Sequence, residues 1–342
     1  MTREPVLTFT DNGIYCAAGD FYIDPWRRVP RALITHGHAD HARWGMDSYL
    51  ATHAALPVMR HRLGAINAEG IDFEEKRKIG DAVVSYHPAG HVPGSAQIRV
   101  EVGGEVWVVS GDYKVVDDGL SEAFVPVKCH HFITESTFGL PVFRWAAQDD
   151  VAKQINAWWA ACVAQGKTAF LGAYALGKAQ RLMSMLDRQI GPILTHAAVE
   201  NTNKVLREQG VSLPETVLAD ASLDPKNHLG AILLAPPSAL GSKWAKKFGP
   251  QETAFASGWM ALRGVRRRRA GDRGFVISDH ADWQGLLWAI KQTGAENIYV
   301  THGYTDVFTR YLADQGWNAQ IVATQFEGES LDTSAEETEA AT

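Results

Sequence analysis

Between positions 35 and 41 the chain reads Thr-His-Gly-His-Ala-Asp-His, directly after the apolar stretch Ala32-Leu33-Ile34. Three imidazoles and a carboxylate in so short a span need partners if they are to be buried, because each is a strong donor or acceptor. Divalent cations answer that need best. In an extended segment alternate side chains share a face, so His36 and His38 aim at one cation, while the turn that follows delivers Asp40 and His41 to a second. Imidazole with carboxylate suits Zn2+, and Mn2+ where oxygen ligands dominate. A polar loop that merely happens to be rich in histidine is the plain alternative, and the ordered spacing counts against it.

His36-Gly37-His38-Ala39-Asp40-His41 resembles the signature of the metallo-β-lactamase-fold hydrolases, whose pattern implies further ligands downstream. Ala89-Gly90-His91-Val92-Pro93-Gly94-Ser95, after the strand-like Ala82–Tyr86, is similar to that family's third motif, and the resemblance makes His91 complete the first site with His36 and His38. A hairpin pattern follows: Gln97–Val102, a Gly103-Gly104 turn and Val106–Ser110. It ends at Gly111-Asp112-Tyr113-Lys114, where Asp112 matches the bridging carboxylate and Gly111 lets the backbone approach the metals. Near the C-terminus, Asn297–Gly303 is a strand pattern that carries His302. Alone, His302 reads as a strand-end histidine bonded to backbone; by resemblance it closes the second site with Asp40, His41 and Asp112. Asp24, before Pro25, resembles the first motif, where the aspartate supports the ligand loop without binding metal. A turn aspartate is the alternative there.

These side chains need a scaffold. Residues 1–145 read mainly as short strands and turns, and Phe275-Val276-Ile277-Ser278 resumes that style. Between them the pattern changes: a helix through Ile155, Trp158, Trp159 and Cys162, capped by Asp149/Asp150, then a strand at Thr168–Leu171, a helix over Gly177–Arg188, a strand at Pro192–Thr195, a helix after Val199, and strands near Val217-Leu218 and Ala231–Leu234. That alternation predicts an inserted α/β unit with a parallel sheet. Trp158 and Trp159 read as core.

An insert at this place looks like the β-CASP domain of nucleic-acid-processing members of the same fold. Ile133-Thr134-Glu135-Ser136-Thr137-Phe138-Gly139 resembles the β-CASP acidic motif and Ser278-Asp279-His280-Ala281-Asp282 its histidine motif. The resemblance implies that Glu135 orients His280 and raises its pKa, so that the imidazole acts as an acid on the leaving group. Taken singly, Glu135 is a turn cap and His280 a cap partner of a helix over Trp283–Thr293. The expected fold is α/β: a metallo-β-lactamase αββα sandwich begun by residues 1–145 and completed by the returning segment 265–328, with a β-CASP-like domain inserted over 146–264 and a disordered acidic tail over 329–342.

Gly172-Ala173-Tyr174-Ala175-Leu176-Gly177-Lys178 matches seven positions of a phosphate-binding P-loop, but Ala179 stands where Mg2+ binding needs a hydroxyl, which excludes that use. The segment resembles instead a β-CASP helix start at which Lys178 receives a substrate phosphate, with helix-cap packing as the alternative. Arg263, Arg266, Arg267, Arg268, Arg269 and Arg273 fall within eleven residues, opposed only by Asp272. Guanidinium forks match phosphate oxygens, so Arg267 and Arg268, with Lys114, are candidate substrate contacts, against the reading of a solvated face.

With 342 residues, 46% of them apolar, the chain is long enough for two cored domains. No stretch approaches the roughly 18 uninterrupted apolar residues of a membrane span, and the start Met1–Pro5 lacks an apolar signal core, so a cytoplasmic protein is expected. Cys16, Cys129 and Cys162 have no metal-type spacing and read as buried free thiols. A net charge of −6 argues against a basic nucleic-acid coat, although Asp332, Glu336, Glu337 and Glu339 all lie in the tail.

Within β-CASP proteins, Ser110–Lys114, Ser278–Trp283 and Thr301–Tyr304 look most similar to the bacterial DNA ligase-associated exonucleases, over residues 8–326. That resemblance implies two-metal hydrolysis of DNA phosphodiesters in repair, with Asp40, Glu135 and His280 at the chemistry and a functional association with a ligase and a helicase. The same fold and metals serve RNA, so a ribonuclease or RNA 3′-end processing enzyme is the second reading. A small-molecule hydrolase is the third, disfavoured by the insert and by the pairing of Glu135 with His280.

Overall fold

The computed structural model describes residues 5–325 apart from Ala270; the tail expected over 329–342 lies outside the described residues. The chain divides into two compact units, the first running to Arg144 and resuming at Asp279, the second comprising Trp145–Ser278.

The first unit holds two sheets. One has six strands in the order Thr8–Thr10, Gly13–Cys16, Phe21–Ile23, Ala32–Leu33, Tyr49–Thr52 and Ala68–Ile71. The other has seven, in the order Asn318–Ile321, Asn297–Gly303, His131–Ser136, Glu105–Val109, Ala96–Val102, Ala82–Pro88 and Arg77–Ile79. Side chains alternate across a strand, so each sheet has two faces to cover. One face of each goes to a shared core: Ile14, Ile23, Leu33 and Leu50 of the first sheet cluster with Val84, Ile98, Val100, Trp107 and Ile133 of the second. The intervening residues of the second sheet, Val106, Val108, Phe132, Ile298 and Val300, pack with Leu286 and Ile290 of the helix Trp283–Thr293 and with Phe308 and Leu312 of the helix Thr305–Asp314. The opposite face of the first sheet, through Ala32, Tyr49 and Ala51, is covered by Leu56, Met59 and Leu63 of the helix Leu56–Leu63.

Strand direction decides where the motifs gather. Glu105–Val109, His131–Ser136 and Asn297–Gly303 are mutually parallel neighbours. Ala82–Pro88 is antiparallel to Ala96–Val102, which is antiparallel to Glu105–Val109, so Ala82–Pro88 runs with the parallel set. All four therefore end at the same edge of the sheet, and His91, Asp112, Glu135 and His302 lie at or just beyond those ends.

In the second unit a six-stranded sheet runs in the order Val217–Leu218, Ile193–Thr195, Ile232–Ala235, Thr168–Gly172, Gln251–Ala256 and Arg273–Phe275, parallel throughout. Ala169, Leu171, Ile232 and Leu234 face a core completed by the helices Gln148–Ala164, Lys178–Ser184 and Ala197–Glu208, while Phe170, Leu194 and Leu233 face Ala245 and Phe248 on the other side. Burial on both faces is what parallel pairing requires. Trp158 and Trp159 are core side chains here.

Three expectations need correction. The segment 265–278 belongs with the insert, because Arg273–Phe275 pairs in parallel with Gln251–Ala256, and the first unit resumes at Asp279. The helix expected over Gly177–Arg188 is Lys178–Ser184, and the next backbone amides make tighter bonds, Met185 to Leu182 and Leu186 to Met183. Asp149 and Asp150 lie inside the first turn of their helix, whose N-cap is Ala147, so they favour it through the macrodipole and not as caps. Cys16, Cys129 and Cys162 are buried and free. Among the described residues no helix is long and apolar enough to cross a membrane.

Trp159 is fully buried and donates its indole N–H to the Gly230 carbonyl at 2.9 Å. Trp159→Ala is expected to destabilise the insert by about 3–5 kcal/mol, read as a lower denaturant midpoint; an unchanged midpoint contradicts this packing.

Candidate active site

Proton accounting in the 35–41 loop shows what its imidazoles offer. Asp24 is held at φ 42°, a left-handed conformation that aspartate tolerates better than most residues. From there Oδ1 accepts the Thr35 amide at 2.8 Å, and Oδ2 accepts the Thr35 hydroxyl at 2.5 Å and the His41 Nδ1–H at 2.7 Å. Having given its proton to Asp24, the Thr35 hydroxyl accepts from His36 Nδ1 at 3.0 Å. His91 Nδ1 donates to the Asp279 carbonyl at 2.9 Å. In each of these rings Nε2 then faces the opposite way, the arrangement found at metal-ligating histidines.

Those nitrogens converge. His38 Nδ1 lies 3.2 Å from His36 Nε2 and 3.0 Å from His91 Nε2. Asp112 Oδ2 lies 3.6 Å from His36 Nε2, 3.6 Å from His41 Nε2 and 3.7 Å from His91 Nε2. His41 Nε2 is 3.4 Å from Asp40 Oδ2, and His302 Nε2 is 3.2 Å from Asp112 Oδ1. A tetrahedron whose corners lie roughly 2.0–2.1 Å from its centre has edges of about 3.4 Å. The donor separations match that edge length. The chemistry of this donor set fits a divalent cation, and His36, His38, His91 and Asp112 offer ligand atoms within 4.8 Å of one another.

The electrostatics agree. Burial holds His36 and His91 well below the ordinary imidazole range, hence neutral as ligands must be. Burial also opposes charge on His41, but the carboxylates of Asp40, Asp112 and Asp24 outweigh it and push its pKa up to about 10. On Asp112 burial acts against ionisation, yet His41, His280 and His302 hold the carboxyl well below its usual range. The carboxylates therefore call for positive charge where the ligand atoms meet.

Two glycines make the close approach possible. Gly111, at φ 57°, would place a Cβ 2.7 Å from Thr35 Cβ, so the approach it permits is to the ligand loop, where the sequence suggested the metals. Gly303, at φ 88°, would place a Cβ 2.3 Å from the Ser136 carbonyl oxygen, and its absence seats His302 against the end of His131–Ser136.

Glu135 and His280 meet beside this cluster. His280 Nδ1 donates to the Glu135 carboxylate, 3.0 Å from Oε1 and 2.9 Å from Oε2. Glu135 is itself fixed by the Tyr113 amide at 2.8 Å and the Thr137 hydroxyl at 2.5 Å. The His280 ring centroid is 4.6 Å from that of His91, and Asp112, Glu135 and His280 offer ligand atoms within 4.8 Å of one another. Thr35 and Thr137 were invisible as functional residues in sequence; their only signal is adjacency to the motifs.

The substrate candidates are placed differently. The Lys114 ammonium is buried, bonded to the Val116 carbonyl at 2.7 Å and 3.9 Å from Asp118 Oδ2, which commits it to its own loop. In the second unit Lys178 is buried with Nζ 4.8 Å above the Tyr174 ring. Arg267 and Arg268 are exposed on the helix Arg263–Arg269.

Asp24→Asn keeps the size of the side chain but weakens its hold on His41 and Thr35. Metal affinity is expected to fall about 10–100-fold, measured by chelator competition; unaltered affinity would show that Asp24 does not prepare the ligands.

No protein-family model matches the chain. It is 27% identical over 314 residues, 91% of its length and 30% of the other, to a protein named probable DNA ligase from Opitutus terrae. It is 26% identical over 186 residues, 51% of its length and 26% of the other, to cleavage and polyadenylation specificity factor 73 of Drosophila melanogaster. It is 26% identical over 191 residues, 48% of its length and 45% of the other, to an RNase J-like protein of Methanocaldococcus jannaschii. The chain thus spans less than half of each of these relatives. Its fold is similar to that of a crystal structure of a protein of unknown function from Enterococcus faecalis V583, with a TM-score of 0.58 at 10% identity over 87% of this chain and 80% of that one. These relatives support the resemblance of the motifs to the metallo-β-lactamase-fold β-CASP nucleases.

Proposed function

We propose that this protein is a two-metal phosphodiesterase that trims DNA ends, an exodeoxyribonuclease working alongside a DNA ligase in repair, on the αββα sandwich of the metallo-β-lactamase fold with a β-CASP insert. The observation that carries the reading is the Glu135–His280 pair set against the donor cluster. A small-molecule hydrolase of the same fold needs the metals but no second, separately buttressed proton donor.

His36, His38 and His91 would hold one cation, Asp40, His41 and His302 a second, with Asp112 shared; Zn2+ suits these donors best and Mn2+ is admissible. Bound there, the pair would supply an activated water and neutralise charge on the phosphoryl group. Glu135 accepts the Nδ1–H of His280 and so favours its imidazolium, leaving Nε2 to carry the proton that a departing sugar oxygen needs. Because Glu135 is bonded to Tyr113 N and Thr137 Oγ1, the donor is fixed before substrate arrives.

DNA is favoured over RNA because the ligase-named relative matches 91% of this chain, whereas the two RNA-processing names match 51% and 48%. A module of this kind is there joined to the rest of a protein carrying that name, which supports a functional association with ligation.

Elemental analysis joined to digestion of end-labelled single-stranded DNA and RNA tests the reading; metal-loaded protein that cleaves RNA in preference to DNA would hand it to the RNA-processing alternative. His280→Ala is expected to keep its metal and lose turnover by about 10²–10⁴-fold, and wild-type rates in that variant would remove His280 from the chemistry. Arg267→Ala with Arg268→Ala should flatten the salt dependence of DNA binding by roughly 0.7–0.9 in log–log slope for each phosphate no longer neutralised; an unchanged slope makes the arginine run plain surface.

A further inference from the structure

The loop that carries the ligands also carries the most exposed of the chain's eleven tryptophans, Trp44, at 76%. Its neighbours are anchored. Ala42 and Met46 are buried in the cluster beneath the Leu56–Leu63 helix, with Tyr49 and Leu56. The Tyr49 hydroxyl donates to the Arg43 carbonyl at 2.8 Å and accepts the Met46 amide at 3.0 Å, spanning the residues on either side of Trp44. Arg62 donates to the carbonyls of Gly37, His38 and Ala42, tying the same turn from below, and the Ala42 amide bonds the His38 carbonyl at 2.9 Å.

An apolar ring held out into water by a backbone fixed on both flanks has lost little freedom by being exposed and has little left to lose on binding. Trp44 lies three residues after His41, so their Cα atoms are at most about 11 Å apart at roughly 3.8 Å per residue. That span is about three base steps at the roughly 3.4 Å rise of one strand. A flat, rigid, exposed indole at that reach from a phosphodiester site matches the stacking platforms that bind unpaired bases irrespective of sequence.

We infer that Trp44 is a positioning residue that stacks on an unpaired nucleobase within a few nucleotides of the scissile phosphate. The inference rests on the nucleic-acid reading of the site. Stacking on a π-face explains how an end could be seated without reading its sequence, while the buried Tyr49 and Arg62 contacts keep the platform in register with His38 and His41.

The test uses the metal-loaded full chain and single-stranded oligonucleotides with cleavage-resistant phosphorothioate linkages, each carrying one abasic site moved through the terminal positions. At one position the missing base is expected to weaken wild-type binding by roughly 5- to 150-fold, the worth of one base–aromatic stack. Trp44→Ala should bind the intact and abasic oligonucleotides alike, and Trp44→Phe should restore most of the difference. Equal abasic penalties in wild type and Trp44→Ala at every position would overturn the inference, and so would a loss of affinity in Trp44→Ala that is the same for abasic and intact strands, which would mark Trp44 as a general surface contact. Base-dependent binding through Trp44 in a protein that cleaves no unmodified oligonucleotide would uphold the stack and refute the nuclease reading.

Discussion

The structure turns on buried carboxylates packed against buried imidazoles. Asp24, Asp40 and Asp112 are each under a tenth exposed, and all three press on His41. Asp24 is bonded by Thr35 and His41, and Asp112 sits among the Nε2 atoms of His36, His41 and His91. Lone pairs and carboxylate oxygens 3.0–3.7 Å apart repel unless positive charge lies between them. Leaving such a set bare in the interior costs far more than a mispacked methyl group, which is why the cluster could hold a metal ion.

The sheets meet that demand through direction. Five strands of the seven-stranded sheet run the same way, and the ends of four of them bring His91, Asp112, Glu135 and His302 to one edge. His302 comes from more than 160 residues beyond Ser136, yet Gly303 docks directly on the Ser136 carbonyl because a parallel partner must arrive from a distant part of the chain. The insert interrupts the chain between those two strands, and its own sheet is parallel and covered on both faces by residues of the insert.

How much of this the sequence displayed follows from how each residue works. The gathering of His36, His38, Asp40 and His41 was legible because they share one short loop, whereas His91, Asp112 and His302 stood out only through the family resemblance, a lone histidine at a strand end being unremarkable. The insert's alternation of helix and strand was legible from its period. The return point was not: Phe275-Val276-Ile277-Ser278 is an apolar strand signal wherever it pairs, and only the partner strand shows that its neighbours Arg273–Phe275 extend the insert's sheet. The charge of Lys114 is visible in sequence and its burial is not; folded, its ammonium is buried and donates to the Val116 carbonyl. Thr35 and Thr137 escaped notice because a hydroxyl that orients a ligand has no distinguishing spacing.

Thr137 joins the two halves of the site through a single proton. Its hydroxyl is 2.5 Å from Glu135 Oε2 and 3.1 Å from His302 Nε2, and it has one hydrogen to give. If that hydrogen pointed at His302, Nε2 would be occupied as an acceptor and Glu135 would lose one of its donors. If it points at Glu135, the short distance is that of a charge-assisted bond, the carboxylate is fixed toward His280, and the hydroxyl oxygen is left to accept from His302 Nε2, which also lies 3.2 Å from Asp112 Oδ1. The arrangement that fixes Glu135 against His280 is therefore the one that keeps the Thr137 hydrogen away from His302. Placing Thr137 two residues after Glu135, where the strand His131–Ser136 ends, lets one side chain enforce both.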